Sequence, residues 1–193
     1  MGAAQPSRVV MFRIDIQRVR FLVIDNNAHM RRIVRTLLNG FGARDILEAA
    51  DGSTGLDMVQ NHTPDIILTA LTLPVFDGLE LTQLIRQPDD GAHCFVPIIM
   101  ITSQPDKALV VAARDAGITE FLAKPFSAKA LYERIVNVVA NPRPFIKTKT
   151  YFGPDRRRNT GSNYAGPERR KDGKTDVTQV KPLLDKAKIL LKN

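Results

Sequence analysis

The sequence is short of several residue types and patterns, and each shortage excludes a class of protein. Its 193 residues include one cysteine, Cys94, and no tryptophan, so an internal disulfide framework is excluded. The apolar runs are far too short to span a bilayer, and charges interrupt the opening stretch MGAAQPSRVVMFRID, where a signal peptide needs apolar residues. We therefore expect a cytoplasmic protein. The scattered histidines lack the spacing of a zinc site; they are His29, His62 and His93.

Basic charge is what the sequence has in excess, and it is concentrated at one end. The net charge is +8, yet residues 141–193 hold 14 Lys and Arg against 5 Asp and Glu, while residues 1–140 hold 14 against 15. A basic extension on a nearly neutral domain is typical of proteins that meet an anionic partner. That partner could be nucleic acid, a lipid surface, a nucleotide or an acidic protein.

Apolar runs and amphipathic stretches alternate between residues 19 and 140. Short continuous apolar runs favour buried parallel strands, and cap residues such as Asn27 and Ser127 favour helix starts. The strands are predicted at 20–25, 45–49, 65–70, 96–102 and 119–123, with a helix after each. This order predicts a five-stranded parallel sheet, doubly wound, whose working site lies beyond the carboxyl ends of the strands. The residues at those ends are Asp25, Asn26, Ala70, Thr102 and Lys124.

Four stretches carry a resemblance to a known family: FLVIDNNAHMRRIVRTLL, LPVFDGLEL, PIIMITS and FLAKPFSAKAL. In this order they resemble the receiver domain of two-component response regulators, and the chemotaxis-type single-domain regulators are closest in pattern. The resemblance covers about residues 20–140. It implies a flavodoxin-like receiver fold and a bacterial signalling role in a phosphorelay, not an enzyme, with a histidine kinase or another signalling protein as partner.

The resemblance also implies a phosphorylation site, and this sequence departs from it. In the family, an Asp at the end of the third strand accepts a phosphoryl group, assisted by Mg²⁺ bound to oxygen ligands. Here Ala70 occupies that position, and a methyl group is neither nucleophile nor metal ligand. Asp25 matches the first metal-binding acid, and Asn26 replaces the second. The phosphoryl-sensing residues match at Thr102, Phe121 and Lys124.

Ala70 leaves two origins open. The chain is either a natural pseudo-receiver or a phosphorylatable regulator with an engineered Asp-to-Ala change. In both cases Mg²⁺ is expected only if the acceptor Asp were present. Lys124 loses its usual partner, so we expect it to pair with Asp25.

The basic extension carries an eight-residue pattern twice. After a Pro-rich connector at 141–150, YFGPDRRR spans Tyr151 to Arg158 and YAGPERRK spans Tyr164 to Lys171. Gly-Pro predicts a turn, and arginine forks suit phosphate or carboxylate. The repeat predicts an anion-binding or docking device, and a solvated tail or a segment packed on the domain is the alternative. The candidate binding residues are Arg156, Arg157, Arg158, Arg169, Arg170 and Lys171.

The last segment, VKPLLDKAKILLKN, places its apolar residues at helical spacing, so we expect a short amphipathic helix within 177–193. It needs a covering surface: a partner, its own receiver, a second copy in a homodimer, or, least favoured, a membrane. We detect no helix-turn-helix, so sequence-specific DNA binding is not expected. The predicted organisation is a lead segment (1–18), a receiver-like domain (19–140), a basic linker (141–176) and the terminal helix (177–193).

Overall fold

The computed structural model describes residues 13–87, 91–104, 106–148, 150–156, 176–178 and 186–190. Five strands and five helices alternate through its central part. Their bounds are β2 (Arg20–Ile24), α1 (Ala28–Gly40), β3 (Asp45–Ala49), α2 (Gly52–His62), β4 (Ile66–Ala70), α3 (Gly78–Ile85), β5 (Ile98–Thr102), α4 (Lys107–Ala116), β6 (Glu120–Ala123) and α5 (Ala128–Ala140). Short strands flank this unit: β1 (Arg13–Asp15), β7 (Phe145–Lys147), β8 (Phe152–Pro154), β9 (Asp176–Thr178) and β10 (Lys188–Leu190).

The central sheet has the order β3-β2-β4-β5-β6, and all of its strands are parallel. One face, with Phe21, Val23 and Leu68, packs against α1 and α5, and the other, with Leu22 and Met100, packs against α2, α3 and α4. Burial on both faces explains why these strands read as continuous apolar runs. The five-stranded doubly wound prediction is confirmed.

Side-chain caps start the helices, and several of them are visible in the sequence. Asn27 accepts hydrogen bonds from the backbone amides of residues 29 and 30, and Ser127 accepts one from Ala130. Asp77 and Glu80 form a reciprocal capping box at the start of α3. Each cap pairs amides that a helix end would otherwise leave unsatisfied, so the helix starts are encoded locally.

The segment after α5 differs from the prediction. Residues 145–147 were predicted to be part of a connector. They form β7 instead, the central strand of a three-stranded antiparallel sheet with the order β8-β7-β9. Gly153 and Pro154 lie in β8 and not in a turn. The turn predicted there was wrong because Pro154 sits at the end of an edge strand, where no ladder amide is needed from it.

The predicted C-terminal helix is also wrong over its described residues. Residues 176–178 form β9, and residues 188–190 form β10, which pairs with β1 in a two-stranded antiparallel sheet. Ala187 is fully buried, and Lys186 Nζ lies 2.7 Å from Asp65 Oδ1. The segment therefore docks on its own receiver, one of the expected surfaces, but as a strand. Pairing with β1 satisfies its backbone without the unfavourable nucleation of a short helix.

The described residues that follow α5, up to residue 156, lie at the amino-terminal edge of the central sheet. Phe145 and Phe152 contact Phe95, which precedes β5, with ring centroids 5.2 and 5.5 Å apart. Arg143 pairs at 3.2 Å with Glu120, the first residue of β6. These contacts place residues 143–152 at the end of the sheet opposite to Ala70. None of the helices in the described ranges combines the length and apolar character that a membrane crossing requires.

Candidate functional site

The predicted site residues lie together at the carboxyl edge of the central sheet. Asp25 follows β2, Ala70 ends β4, Thr102 ends β5 and Lys124 follows β6. These four strands are neighbours in the sheet. Parallel pairing puts their carboxyl ends at one edge, so the topology converts four separated sequence positions into one cluster.

An ion pair occupies the centre of this cluster. Lys124 Nζ lies 3.0 Å from Asp25 Oδ2, and the exposed fractions of the two side chains are 23% and 7%. The other carboxylate oxygen of Asp25 accepts a hydrogen bond from the Asn27 amide at 2.9 Å. Each carboxylate oxygen of the buried Asp25 thus has one partner, and such pairing is what a stable buried charge requires. The expected Asp25–Lys124 pair is present.

Ala70 is tightly enclosed. It is 6% exposed, and a Cβ added to Gly78 would overlap the Ala70 carbonyl oxygen. The Gly78 amide also donates to the Leu71 carbonyl at 2.7 Å, so the start of α3 is fixed against the end of β4. In the intervening loop, Val75 has φ +71° and is 70% exposed. A left-handed β-branched residue is a strained choice for a loop beside the site.

The other two predicted switch residues, Thr102 and Phe121, lie in β5 and β6. Thr102 is 4% exposed, and its hydroxyl accepts a hydrogen bond from the Gln104 amide at 3.1 Å. Phe121 is half-buried in β6 and packs against the core face that contains Met100. The Lys124 amide donates to the Thr102 carbonyl at 2.7 Å, and the Lys124–Pro125 peptide bond is cis. Backbone pairing therefore couples the Thr102 and Lys124 positions.

The residues at this edge do not fit the Mg²⁺ that the resemblance implies. Mg²⁺ is held by oxygen ligands, with carboxylates foremost. Asp25 directs one oxygen to Lys124 and the other to the Asn27 amide, Asn26 is exposed, and Ala70 offers no oxygen from its side chain. Within the described part of the chain, no three acidic, histidine or cysteine side chains form a metal-binding group.

The arginine repeat is described only at its first member. Arg156 Nη1 lies 3.3 Å from Asp115 Oδ1, and its guanidinium stacks 4.0 Å from the centre of the Tyr151 ring. Tyr151 in turn donates its hydroxyl to the Pro154 carbonyl at 2.8 Å. This arginine therefore already holds a carboxylate of the receiver. The remaining predicted binding residues lie outside the described ranges: Arg157, Arg158, Arg169, Arg170 and Lys171.

Two buried charges at the opposite edge were not predicted from the sequence. Glu120 is 3% exposed and accepts hydrogen bonds from Asn137 at 2.7 Å and Arg143 at 3.2 Å. Arg86 is 4% exposed and donates to the carbonyls of Gly117 and Cys94. Burial lowers the pKa of Arg86 to about 9. A single charged residue at a strand start or helix end gives no sequence signal that distinguishes it from a surface charge.

Comparison with known proteins finds a matching family. The family model of the response regulator receiver domain matches residues 21–136 of this chain. Chemotaxis protein CheY-3 of Vibrio cholerae is 32% identical over 119 residues, which are 62% of this chain and 90% of that protein. The structure of CheY4 from Vibrio cholerae superposes with a TM-score of 0.57 at 27% identity, covering 62% of this chain and 98% of that one.

A third likeness is to the CheX-CheY-BeF₃-Mg²⁺ complex from Borrelia burgdorferi. The TM-score is 0.57 at 24% identity, over 62% of this chain and 88% of the matched one. At that identity the likeness shows the fold alone. In these comparisons the matched part is about three fifths of the chain, and the family model ends before β7.

Proposed function

The chain belongs to the response regulator receiver domain family, and from that premise we propose that it is a pseudo-receiver of a two-component system. It acts in the cytoplasm by protein–protein interaction and is not phosphorylated at position 70. The observation that carries the proposal is the composition of the strand-end cluster. Ala70 provides no nucleophile, and Lys124 is neutralised by Asp25 at 3.0 Å. A phosphoryl group therefore has no acceptor side chain at position 70, and the cation that would bind it is already paired.

The proposed partner is a histidine kinase or another signalling protein, and the role is signalling without catalysis. Receiver-family proteins serve signal transfer, and a CheY protein of Borrelia burgdorferi is found in complex with CheX. By analogy, we assign partner contact to the surface around the strand ends of this chain. The Asp25–Lys124 ion pair lies at that surface.

Phosphoryl transfer from acetyl phosphate with Mg²⁺, followed by intact mass, tests this proposal. We expect no mass gain for this chain. Ala70→Asp is measured beside it, and Ala70→Asn is the matched control, since asparagine has the shape of aspartate without its carboxylate. A gain in Ala70→Asp alone means that the pocket is otherwise competent. A gain in none of them means that the remaining site, with Asn26 first, is also incompetent. A phosphoryl group on the receiver of this chain itself would refute the proposal.

The origin of Ala70 is a separate question. An engineered Asp-to-Ala change would make the natural protein an ordinary phosphorylatable regulator. Reading codon 70 of the natural coding sequence separates the two cases, since an Asp codon indicates the engineered one.

A nucleotide or anion sensor built on the arginine repeats is the second candidate. The favouring observation is that Arg156 already binds an oxyanion group, the carboxylate of Asp115, while it stacks on Tyr151. A phosphate ligand would replace the carboxylate in the same fork. Alanine at Arg156, Arg157, Arg169 and Arg170 should abolish binding of phosphate ligands while circular dichroism shows an intact fold. Unchanged binding in that variant would eliminate this candidate.

A further inference from the structure

A pocket of about 390 Å³ lies where the C-terminal segment meets the receiver. Its receiver wall comes from α3 and the two residues after it, through Gln83, Arg86 and Gln87, and from the end of α4, through Asp115 and Ala116. Its other wall comes from the end of β7, through Lys147, and from the connection to β8, through Thr148. The volume is at the lower end of the range for small-molecule sites in proteins. The family model ends before β7, so half of the lining residues lie outside the part of the chain that the family model matches.

Arg86 is the unusual member of the lining. It lines the pocket although it is only 4% exposed. Nε donates to the Gly117 carbonyl at 3.1 Å and Nη1 to the Cys94 carbonyl at 2.8 Å, while Nη2 has no hydrogen-bond partner among the described residues. Neither partner is an anion. The guanidinium also lies 5.1 Å from the centre of the Phe145 ring. No ion pair with a described residue balances its charge, and a buried charge is costly unless it is paired.

The surroundings of Arg86 add positive charge, and the acidic residue of the pocket lining is already paired. Lys147 faces the same pocket from β7, is exposed, and has no ion pair within the described residues. Asp115 is the acidic residue of the lining, and its Oδ1 is held by Arg114 at 3.2 Å and Arg156 at 3.3 Å. Burial also lowers the pKa of Arg86 to about 9, which leaves it charged at pH 7. The pocket is therefore cationic at neutral pH.

Hydrogen-bonding groups complete the lining. The side chains of Gln83 and Gln87 are exposed at the pocket. The turn opposite them is held in place by Thr148, whose hydroxyl accepts from the Tyr151 amide at 3.0 Å. Amides and hydroxyls beside two cations suit the several acceptor lone pairs of an oxyanion.

The geometry points to a binding site for a small organic molecule that carries an oxyanion group, phosphate or carboxylate, with Arg86 and Lys147 as its cationic contacts. The molecule would supply the counter-charge that Arg86 lacks among the described residues and would bridge the receiver to residues 147–152. The site borders the first repeat through Tyr151 and Phe152, but its cations are Arg86 and Lys147 and not the arginines of the repeats. It stands independently of the state of position 70.

NMR titration of the full chain with sodium phosphate and, separately, sodium acetate tests the site. Ionic strength is held constant with sodium chloride, and the backbone amides of Lys147, Thr148 and Tyr151 are followed with the Arg86 Nε–H signal. We expect saturable shifts at these positions. A stronger response to phosphate assigns a phosphorylated ligand, and a stronger response to acetate assigns a carboxylate.

Lys147→Gln is the decisive variant because the residue is exposed, and its substitution should leave the fold intact. Loss of a charge-assisted contact should weaken the apparent affinity about tenfold. Lys129→Gln is the matched control, since it removes the same charge from a 74% exposed position on α5. Equal titrations of Lys147→Gln and Lys129→Gln, or no shifts beyond those caused by sodium chloride, would overturn the proposal.

Discussion

Replacing Phe145 with alanine tests whether the C-terminal segment is part of the folded domain. Phe145 is 3% exposed, and its ring lies 5.2 Å from Phe95, 5.6 Å from Phe152 and 5.1 Å from the Arg86 guanidinium. Truncating a phenylalanine at such a site lowers the free energy of unfolding by about 3–5 kcal/mol. With a urea m-value of roughly 2 kcal/mol/M, the unfolding midpoint should fall by about 1.5–2.5 M.

The assay is urea unfolding followed by circular dichroism, and Val177→Ala is the matched control. Val177 lies in β9 of the same small sheet but is 54% exposed, so its truncation should cost within about 0.5 kcal/mol. A single transition that moves only for Phe145→Ala supports a segment packed on the receiver. A Phe145→Ala shift as small as that of the control would refute the packing argument.

Other substitutions test single features by urea unfolding. Lys124→Met leaves the Asp25 charge uncompensated and should lower the free energy of unfolding by about 2 kcal/mol. The loss is smaller than at a fully buried pair because Lys124 is 23% exposed. An unchanged free energy of unfolding would mean that the pair does not stabilise the fold. Asp77→Ala should cost about 1 kcal/mol through the capping box of α3, and Asp77→Asn much less; equal losses would contradict a capping role. Gly117→Ala should cost more than about 1 kcal/mol because φ is +99° there; a neutral result would contradict that backbone. Burial raises the pKa of Tyr151, so the tyrosine of the unfolded chain ionises first as the pH rises. The contribution of Tyr151 to the free energy of unfolding should therefore be complete below pH 10 and be lost above it. Tyr151→Phe should remove that loss.

The central sheet and its strand-end cluster were predictable because their signals are local. Continuous apolar runs mark strands such as β4 and β5, and cap residues such as Asn27 mark helix starts. Once the strands are parallel, the topology brings Asp25 and Lys124 to one edge. The ion pair between them then follows from the absence of any carboxylate at position 70.

The C-terminal segment was not predictable in the same way. The apolar spacing before Ala187 fits a helix, yet pairing with β1 makes residues 188–190 a strand. Phe145 and Phe152 lie in short strands. Their rings pack against Phe95, and that of Phe145 also against Arg86, both far away in sequence. Segments of three residues have too little periodicity to reveal such partners. Tertiary contacts, which no local pattern encodes, decide their structure.

The most direct test of the central claim is an amide NMR comparison of the full chain with and without acetyl phosphate and Mg²⁺. The claim is that no phosphoryl signal reaches the strand-end cluster. We predict that the amides of Thr102, Phe121 and Lys124 keep their positions in this chain and shift in Ala70→Asp if its pocket is competent. Shifts of these amides in the unmodified chain, beyond those that Mg²⁺ causes alone, would contradict the account.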